Sequence, residues 1–353
     1  MNESRFFLDI HAIQTLPPSN ANRDDTGSPK TAVYGGVRRA RISSQSWKRA
    51  MRQYFLKESA EDLGIRSTNV IRYVAERIIA TEPSVTEEQA MKKAEKVFND
   101  AGIKTKDHKT KALFFLGKQQ ADLLAAAGLK EETDKKALQR IFCENPAVDI
   151  ALFGRMVADD PSLNEDASAQ VAHAISTHEV QTEFDFYTAV DDLAPEDNAG
   201  AGMLGTIEYN SSTLYRYANI AMHDLVRQLG SKEQAISAAQ LFIQAFANSM
   251  PTGKANTFAN QTLPQILMIN IRQDRPVNLV TAYENPVKSR NGNETVSIER
   301  LFAEVKKTTK FVQPPLKTLY VVKEDIEKPE WAEEEDSVHT LVNDFAKIAE
   351  ELL

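Results

Sequence analysis

A strongly basic segment between Thr26 and Lys57 is the part of the chain best suited to bind a charged ligand. It contains eight Lys or Arg residues and no Asp or Glu, although the whole chain has a net charge of −8. A concentrated basic stretch on an acidic protein is typical of a protein that binds the phosphate backbone of nucleic acid. A charged face that contacts only water is the alternative interpretation. The cations are Lys30, Arg38, Arg39, Arg41, Lys48, Arg49, Arg52 and Lys57.

Two predicted elements position these cations. Tyr34-Gly35-Gly36 interrupts regular structure, and the partial alternation from Val37 to Ile42 predicts a short strand. Ser43 or Ser44 is predicted to cap a helix that runs to about Lys57. Apolar residues at helical spacing predict a buried stripe on this helix, while Lys48 and Arg52 lie one turn apart on another face. The stripe comprises Trp47, Ala50, Met51 and Tyr54.

The sequence contains few signals of catalysis. It has no phosphate-binding P-loop, no HExxH zinc motif and no nucleophile elbow. His173 and His178 are five residues apart on a predicted strand, which places them on opposite faces and does not suit a shared metal. Asp24 and Asp25 next to the basic segment leave metal-dependent RNA cleavage as an alternative. We otherwise expect no enzyme, no metal and no cofactor.

Composition indicates an ordinary globular protein. The chain has 353 residues, of which 42% are hydrophobic and 26% charged, so it can bury the core of one large domain with insertions, or of two domains. No apolar run approaches the ~20 residues that cross a bilayer, and the first residues do not resemble a signal peptide. The single cysteine, Cys143, excludes an internal disulfide framework. We therefore expect a cytoplasmic protein without membrane contact.

Periodicity along the chain predicts an α+β fold with insertions. Arg5 to Ile13 is predicted as a first strand, followed by an irregular loop, QTLPPSNANRDDTGSP, and then by a helical block from about Ser59 to Gly128. A long β-hairpin is predicted before Leu214, and the acidic run Glu330 to Asp336 as a solvated linker. Further strands are predicted at Ala169–Val180, Leu214–Ile220 and Gln265–Arg272, and further helices at Ser231–Asn248 and Val338–Leu353. This order fits a βαββαβ sheet of the RNA-recognition type, although pattern alone does not establish it.

Several motifs together resemble one known family. The chain is similar to the crRNA-binding backbone subunit of the type I-E CRISPR Cascade complex, the CasC family of the RAMP superfamily. The resemblance extends from Asn22 to Ile220, and beyond Leu229 it rests on the order of elements. The matching segments are NRDD (Asn22 to Asp25), YGGVRRARISSQSWKRAMR (Tyr34 to Arg52), DIALFGRM (Asp149 to Met156), AHAISTHEV (Ala172 to Val180), DFYTAVDDL (Asp185 to Leu193) and YRYANI (Tyr215 to Ile220).

The resemblance implies a hand-shaped architecture. It comprises an RRM-like (ferredoxin-like) palm, a helical fingers insertion and a β-hairpin thumb. The implied boundaries are 1–58 for the first part of the palm with the basic helix, 59–165 for the fingers, 166–181 for a palm strand, 182–208 for the thumb, and 209–353 for the rest of the palm and a C-terminal helix.

The resemblance also implies a function in antiviral defence. Several copies would polymerise head to tail along one crRNA, together with other Cascade subunits, grip its phosphates and kink it with their thumbs. The bases left ordered would pair with target DNA. Such a subunit must accept any guide sequence, so it should contact phosphates and riboses and leave the base edges available. A general RNA-binding module is a further alternative.

The same resemblance assigns roles to individual residues. Met156 would pack against the kinked base, although methionine is ordinarily a core filler. Tyr187 and Thr188 would lie against the displaced base, unless Phe184, Phe186 and Tyr187 form a cluster within the hairpin. The complete set of expected RNA-binding residues is Arg23, Lys30, Arg38, Arg39, Arg41, Ser43, Gln45, Lys48, Arg49, Arg52, Met156, Tyr187, Thr188 and Lys254.

Lysines of the fingers region form a second candidate surface. One group lies at a predicted junction between a loop and a helix start, and the other on a predicted helix. Either group is suited to attract DNA, whereas interspersed acids such as Asp107 and Glu131 favour a solvated surface. The candidates are Lys104, Lys106, Lys109, Lys111, Lys135 and Lys136.

Overall fold

Strands and helices alternate along the chain. A computed structural model describes residues 5–58, 63–189, 192–193 and 203–353. The strands are β1 (Phe7–Ser19), β2 (Thr31–Tyr34), β3 (Val37–Ile42), β4 (Ile65–Ser67), β5 (Thr105–Lys106), β6 (Lys109–Thr110), β7 (Phe114–Leu116), β8 (Ala169–Val171), β9 (Ala174–Ser176), β10 (Glu183–Ala189), β11 (Met203–Ala221), β12 (Ile266–Arg272), β13 (Lys317–Val322) and β14 (Glu333–Glu334). The α-helices are α1 (Ser44–Glu58), α2 (Val70–Thr81), α3 (Glu87–Asp100), α4 (Lys118–Leu129), α5 (Lys135–Cys143), α6 (Val148–Phe153), α7 (Met222–Leu229), α8 (Lys232–Asn248), α9 (Ala255–Phe258), α10 (Glu294–Thr308) and α11 (Val338–Leu352).

One large mixed sheet organises these elements, and the predicted α+β class is confirmed. Within the described residues its strand order is β14-β13-β12-β1-β11-β9-β3-β2, with β8 and β10 also paired to β11. β1 lies at the centre and pairs antiparallel with both β11 and β12. Its side chains alternate between the two faces of the sheet, and both faces are buried. Because both faces are covered, the polar residues Asp9, His11 and Gln14 of β1 are buried together with its apolar ones.

The two faces of the sheet are covered by different elements. Leu8 and Ile10 of β1 pack in a cluster with α1, α7, α8 and α11, for example with Phe242 of α8. On the opposite face, Ile13 packs with α10 and the 3₁₀ helix Leu279–Tyr283. The helices α2, α3, α4 and α5 bury a separate cluster of their own. The predicted helical block thus contains α2, α3 and α4, together with the short strands β4 to β7.

The first strand extends further than its sequence predicted. β1 continues through Pro17 and Pro18 to Ser19, so the loop does not begin at Gln14 as expected. The register with β11 shifts between Leu16 and Ser19. A β-bulge of this kind accommodates prolines, which cannot donate a hydrogen bond to a neighbouring strand.

Other elements also differ from their predictions. The predicted strand from Ala169 to Val180 is two short strands, β8 and β9. α10 and β13 had no prediction, and the acidic run is not only a linker, because Glu333 and Glu334 form β14 beside β13. The strand at Gln265–Arg272 and both late helices are confirmed within a residue. None of the helices in the described residues is long and apolar enough to cross a membrane.

Candidate nucleic-acid interface

The predicted strand at Val37–Ile42 and the helix after it are confirmed, and the strand also forms a hairpin with β2, which was not predicted. β2 and β3 pair antiparallel around Gly35 and Gly36, which both adopt positive φ angles. Ser43 precedes α1, and its hydroxyl accepts a hydrogen bond from the Ser46 amide at 3.3 Å. The Ser43 amide donates to Asn22 Oδ1 at 2.9 Å, which connects the start of α1 to the NRDD loop. Ser43 therefore caps the helix and is itself buried.

The buried side of α1 differs from the prediction at one position. Trp47, Ala50 and Met51 are buried as expected, but Phe55 completes the stripe instead of Tyr54. Phe55 lies four residues after Met51 and therefore directly above it on the helix. Tyr54 is displaced to the edge of the stripe, where it borders the open cleft described next.

A cleft of about 630 Å³ lies beside the exposed face of α1. One wall is residues 21–24 of the NRDD loop, the second is the exposed face of α1, and the third is residues 248–253 with Gln261. Arg23, Arg49 and Lys57 line it, and we call it the cationic cleft. The three cations come from two separately folded segments and converge on one volume. This arrangement suits a ligand with repeated negative charges, such as a phosphate backbone.

A close backbone approach holds two walls of the cationic cleft together. A Cβ atom on Gly253 would lie only 2.2 Å from the carbonyl oxygen of Ala21, so the approach requires glycine. The neighbouring Lys254 is exposed and adopts a left-handed conformation, with φ of 51°. Within the first wall, Asn20 donates to the Gly27 carbonyl at 2.9 Å and so fixes the NRDD loop. Lys254 thus lies next to the cleft, and its contact with RNA stays a prediction.

Asp24 lines the cleft, but its carboxylate accepts hydrogen bonds from residues of its own turn. Its Oδ1 accepts hydrogen bonds from the Thr26 hydroxyl at 2.7 Å and from the Thr26 and Ser28 amides at 3.0 Å. The Thr26 hydroxyl is the main cause that lowers the pKa of Asp24. In the described part of the chain, no group of three or more His, Cys, Asp or Glu residues is arranged to hold a metal ion. Metal-dependent cleavage remains an alternative that this geometry does not support.

Two of the predicted phosphate-binding arginines are engaged inside the fold. Arg39 is fully buried and donates to the carbonyl oxygens of Tyr34, Ser176 and Tyr283 at 2.8–3.1 Å. The guanidinium of Arg52 forms an ion pair with buried Asp149 at 2.9 Å. Burial raises the pKa of Asp149, and the Arg52 charge partly offsets this. We therefore leave both arginines out of the proposed RNA surface.

The other basic residues near α1 lie outside the lining of the cationic cleft. Lys48 is half-buried with its ammonium 5.5 Å from the centre of the Phe153 ring, and burial lowers the pKa of Lys48. Arg41 donates to the Thr31 carbonyl at 3.1 Å. Arg38 and Gln45 are exposed, and Lys30 is half-buried. Their RNA contacts stay predictions.

Met156 is not a core residue. Its side chain is 80% exposed, which contradicts the core-filler interpretation. The turn before Met156 requires glycine at position 154. Gly154 has a φ of 77°, and a Cβ at this position would lie 2.9 Å from the Glu165 carbonyl oxygen. Arg155 is buried and donates to the carbonyl oxygens of Leu163 and Phe142 at 3.1 and 2.7 Å. The turn thus presents Met156 to solvent, and its contact with a base stays a prediction.

The predicted hairpin is present as β10 paired with the start of β11. Strand alternation places exposed Phe184 and Phe186 on one face and Tyr187 on the other. The Tyr187 ring lies over its cross-strand neighbour Gly205, where a Cβ would be 2.5 Å from the ring. The alternative of one cluster containing all three aromatic residues is therefore wrong. Thr188 lies on the face of Phe186, and most of the tip lies outside the described residues.

The first group of fingers lysines occupies a different structure from the one predicted, whereas Lys135 and Lys136 lie on a helix as predicted. Lys106 and Lys109 belong to β5 and β6, a hairpin whose turn residues Asp107 and His108 have positive φ angles. The expected helix start is absent here, and α4 begins only at Lys118. Lys135 and Lys136 open α5, and Lys135 lies 3.5 Å from an Asp160 oxygen. The six candidates Lys104, Lys106, Lys109, Lys111, Lys135 and Lys136 are exposed, and DNA contact stays a prediction for them.

Some residues of the cationic cleft were not among the expected RNA-binding residues, although Lys57 had been counted as a cation of the basic segment. Ser46, Gln53 and Lys57 line it together with Arg49. Their spacing of three or four residues places them on one helical face, so this signal was present in the sequence. Ser249 had no such signal, because it comes from the end of α8. Its buried hydroxyl has no hydrogen-bond partner among the described residues.

Comparison with known proteins places this fold in a family. Residues 8–344 match the model of the CT1975-like protein family. A chain of a solved "CRISPR RNA-guided surveillance complex, pre-nicking" is 34% identical with a TM-score of 0.86, and the match covers 97% of this chain and 100% of that one. A chain of another "CRISPR RNA-guided surveillance complex" is 30% identical with a TM-score of 0.76, covering 97% and 99%. No curated protein matched the sequence. The chain belongs to the CT1975-like protein family.

Proposed function

We propose that this member of the CT1975-like family is the crRNA-binding backbone subunit of a type I-E CRISPR Cascade surveillance complex. The observation that carries the proposal is the cationic cleft, where Arg23, Arg49 and Lys57 converge. The likeness over nearly the whole chain to subunits of RNA-guided surveillance complexes supports the same role. The motifs from Asn22 to Ile220 favour type I-E.

In this proposal the cationic cleft grips the RNA through its backbone. Arg49 and Lys57 neutralise phosphates from α1, and Arg23 and Lys254 do so from the two loops. Ser46 and Gln53 on the same helical face donate hydrogen bonds to phosphate or ribose oxygens. Because these contacts do not depend on base identity, the subunit accepts any guide sequence and leaves the bases to recognise target DNA.

The proposed architecture is a palm, fingers and thumb. The order β12-β1-β11-β9, with α1 and α8 on one face, supports an RRM-like palm. The separately packed helices supply the fingers, and the β10–β11 hairpin supplies the thumb. Copies stack head to tail along the crRNA with other Cascade subunits. Each thumb reaches a neighbouring copy, where Tyr187, Thr188 and Met156 hold a kinked base. The subunit acts in the cytoplasm without catalysis.

The test is purification after co-expression with a CRISPR array and the partner subunits. Bound nucleic acid is extracted and sequenced, and the mass of the particle is measured. The proposal predicts one uniform small RNA with repeat-derived ends, carried by several copies of this chain. Heterogeneous RNA on a monomer, or no RNA at all, would contradict it. Cleavage of the bound RNA on addition of Mg²⁺, abolished by Asp24→Ala, would instead support the nuclease alternative.

A further inference from the structure

The guanidinium of Arg216 is a buried positive charge without an acidic partner. The residue is 1% exposed and lies on β11 opposite Ala12 of β1. Burial lowers the pKa of Arg216 to about 9, and no charged residue of the described chain adds to this shift. Arg216 therefore remains charged at neutral pH. A buried charge is costly unless hydrogen bonds or an opposite charge compensate for it.

The contacts of Arg216 are polar and aromatic but neutral. One amino group donates to Gln14 Oε1 at 2.5 Å, and the other donates to the Phe246 carbonyl at 2.6 Å. The guanidinium lies between the Trp47 and Phe246 rings, 3.6 and 4.3 Å from their centres. Its Nε has no hydrogen-bond partner in the described part of the chain. These contacts orient the cation without neutralising it.

The other buried arginines have acidic neighbours. Arg272 forms an ion pair with Asp274 at 3.1 Å. The charge of Glu165 acts on Arg155, and those of Glu284 and Glu179 act on Arg39. For Arg216, burial is the cause of the lowered pKa, and no carboxylate of the described residues forms an ion pair with it. Arg272 therefore has an acidic partner and Arg155 and Arg39 have acidic groups that act on them, whereas Arg216 has neither among the described residues.

Two residues that contact Arg216 lie close in sequence to residues that line two walls of the cationic cleft. Trp47 belongs to α1 between Ser46 and Ala50, which line the cleft. The Phe246 carbonyl is among the last of α8, immediately before Asn248 and Ser249 of the third wall. Gln14 extends the connection, because its amide also donates to the Thr262 carbonyl at 2.8 Å and contacts Met250. A cation at a helix C-terminus also interacts favourably with the helix dipole.

We propose that Arg216 is a positioning residue of the cationic cleft. It holds the end of α8 against α1, and it keeps an uncompensated positive charge beneath the cleft that attracts the polyanionic RNA strand. The inference rests on the proposed function, because it deepens the account of the same RNA site. In a poorly polarisable interior such a charge acts on phosphates that it does not touch.

Substitution of Arg216 tests whether its charge contributes to RNA binding or whether the residue has only a structural role. Binding of a fluorescein-labelled single-stranded RNA of mixed sequence is measured by anisotropy at several salt concentrations, with thermal unfolding of the same samples. For Arg216→Met we expect affinity to fall about tenfold, the order expected of one charge acting over ~10 Å at an effective dielectric constant of ~20. The salt dependence should keep the wild-type slope, because a residue that does not touch phosphate releases no counterion. Arg216→Lys, which keeps the charge, should recover most of the affinity.

Gln14 offers a second test that leaves Arg216 in place. Gln14→Glu sets a carboxylate against the guanidinium and neutralises it, and it loses the amide donation to the Thr262 carbonyl. Gln14→Met loses that donation as well, together with the hydrogen bond accepted from Arg216, without adding charge. We expect Gln14→Glu to bind RNA about tenfold more weakly than Gln14→Met, since one unit charge is again cancelled. This pair decides the question even when Arg216→Met does not fold.

The outcomes separate this inference from the proposed function. Equal RNA affinity of the two Gln14 variants would overturn the inference, as would a folded Arg216→Met variant that binds like wild type. In both cases wild-type binding leaves the proposed function intact. Absence of RNA binding by the wild-type protein and by its purified complex would overturn both.

Discussion

Arg49 and Arg52 lie three residues apart on α1, yet they meet different surroundings. Arg49 is exposed and lines the cationic cleft. Arg52 is held by Asp149, which comes 97 residues later in the chain, and lies 4.4 Å from the centre of the Phe115 ring. Two basic side chains one turn apart on the same helix thus meet different surroundings, one in the open cationic cleft and the other in contact with the fold. A count of charges in the sequence does not distinguish them.

Removal of Arg52 should have the largest effect on stability. Arg52→Ala leaves the buried Asp149 carboxylate unpaired, so we expect the free energy of unfolding to fall by about 3 kcal/mol. Urea denaturation measures this loss. Arg49→Ala on the same helix is the matched control and should change stability by less than about 0.5 kcal/mol. Equal losses in both variants would contradict the proposed difference between Arg49 and Arg52.

A second buried charge, the carboxylate of Asp9, should make stability depend on pH. Burial raises the pKa of Asp9 to about 7, above its ordinary value of 3.8. An acid with a raised pKa in the folded state loses stability as pH rises from its unfolded value through its folded value. Between about pH 5 and pH 8, this group should cost on the order of 2 kcal/mol.

Asp9→Asn tests that dependence, because asparagine resembles the protonated acid. The Asp9 carboxylate accepts hydrogen bonds from the Tyr217 hydroxyl at 2.7 Å and from the Val277 amide at 2.9 Å. Denaturant unfolding at both pH values should show a flatter profile for the variant, with its gain largest at pH 8. A variant whose stability falls with pH as steeply as wild type would show that Asp9 is not the responsible group.

Changes to the ligand-facing side of α1 should affect binding instead of stability. The double variant Arg49→Ala/Lys57→Ala should bind single-stranded RNA about tenfold more weakly, with a salt slope lower by ~1.4, or ~0.7 for each lost phosphate contact. Lys306→Ala/Lys310→Ala removes the same charge from exposed positions outside the cleft and is the matched control. Similar losses in the two double variants would indicate general electrostatic attraction without a defined site.

Removal of the exposed Met156 side chain should have the smallest effect. Because the side chain is mostly in solvent, Met156→Ala should leave the unfolding temperature unchanged. A sulfur contact with one base is worth little, so RNA affinity should fall by less than about threefold. The fluorescence of 2-aminopurine placed at the kinked base measures the local change. No change at any guide position would contradict the proposed contact.

Local elements of the fold were predictable from sequence where a period was clear. The α1 helix, its Ser43 cap, β12, α8 and the C-terminal helix follow from spacing and capping residues. The path of β1 through Pro17 and Pro18 was not predictable, since it depends on a bulge opposite β11. The lysine-rich β5–β6 hairpin was missed because His108 follows Asp107 where the usual Asp-Gly turn has glycine.

The candidate site was predictable only in part. The concentration of basic residues indicated the helix that lines the cationic cleft, and the resemblance assigned it to RNA. The engagement of Arg39 and Arg52 depends on partners distant in sequence, such as Tyr283 and Asp149. The third wall of the cationic cleft comes from residues about 200 positions beyond α1, and it requires the close approach of Gly253 to Ala21. Tertiary packing selects which charges reach the ligand.

The most direct test of the central claim is a map of RNA contacts in the purified complex. Ultraviolet cross-linking followed by mass spectrometry identifies the peptides that touch the bound RNA. The account predicts cross-links in residues 21–24, on the exposed face of α1 and in residues 248–261. Cross-links confined to the fingers hairpin around Lys106 and Lys109, with none beside the cationic cleft, would contradict it.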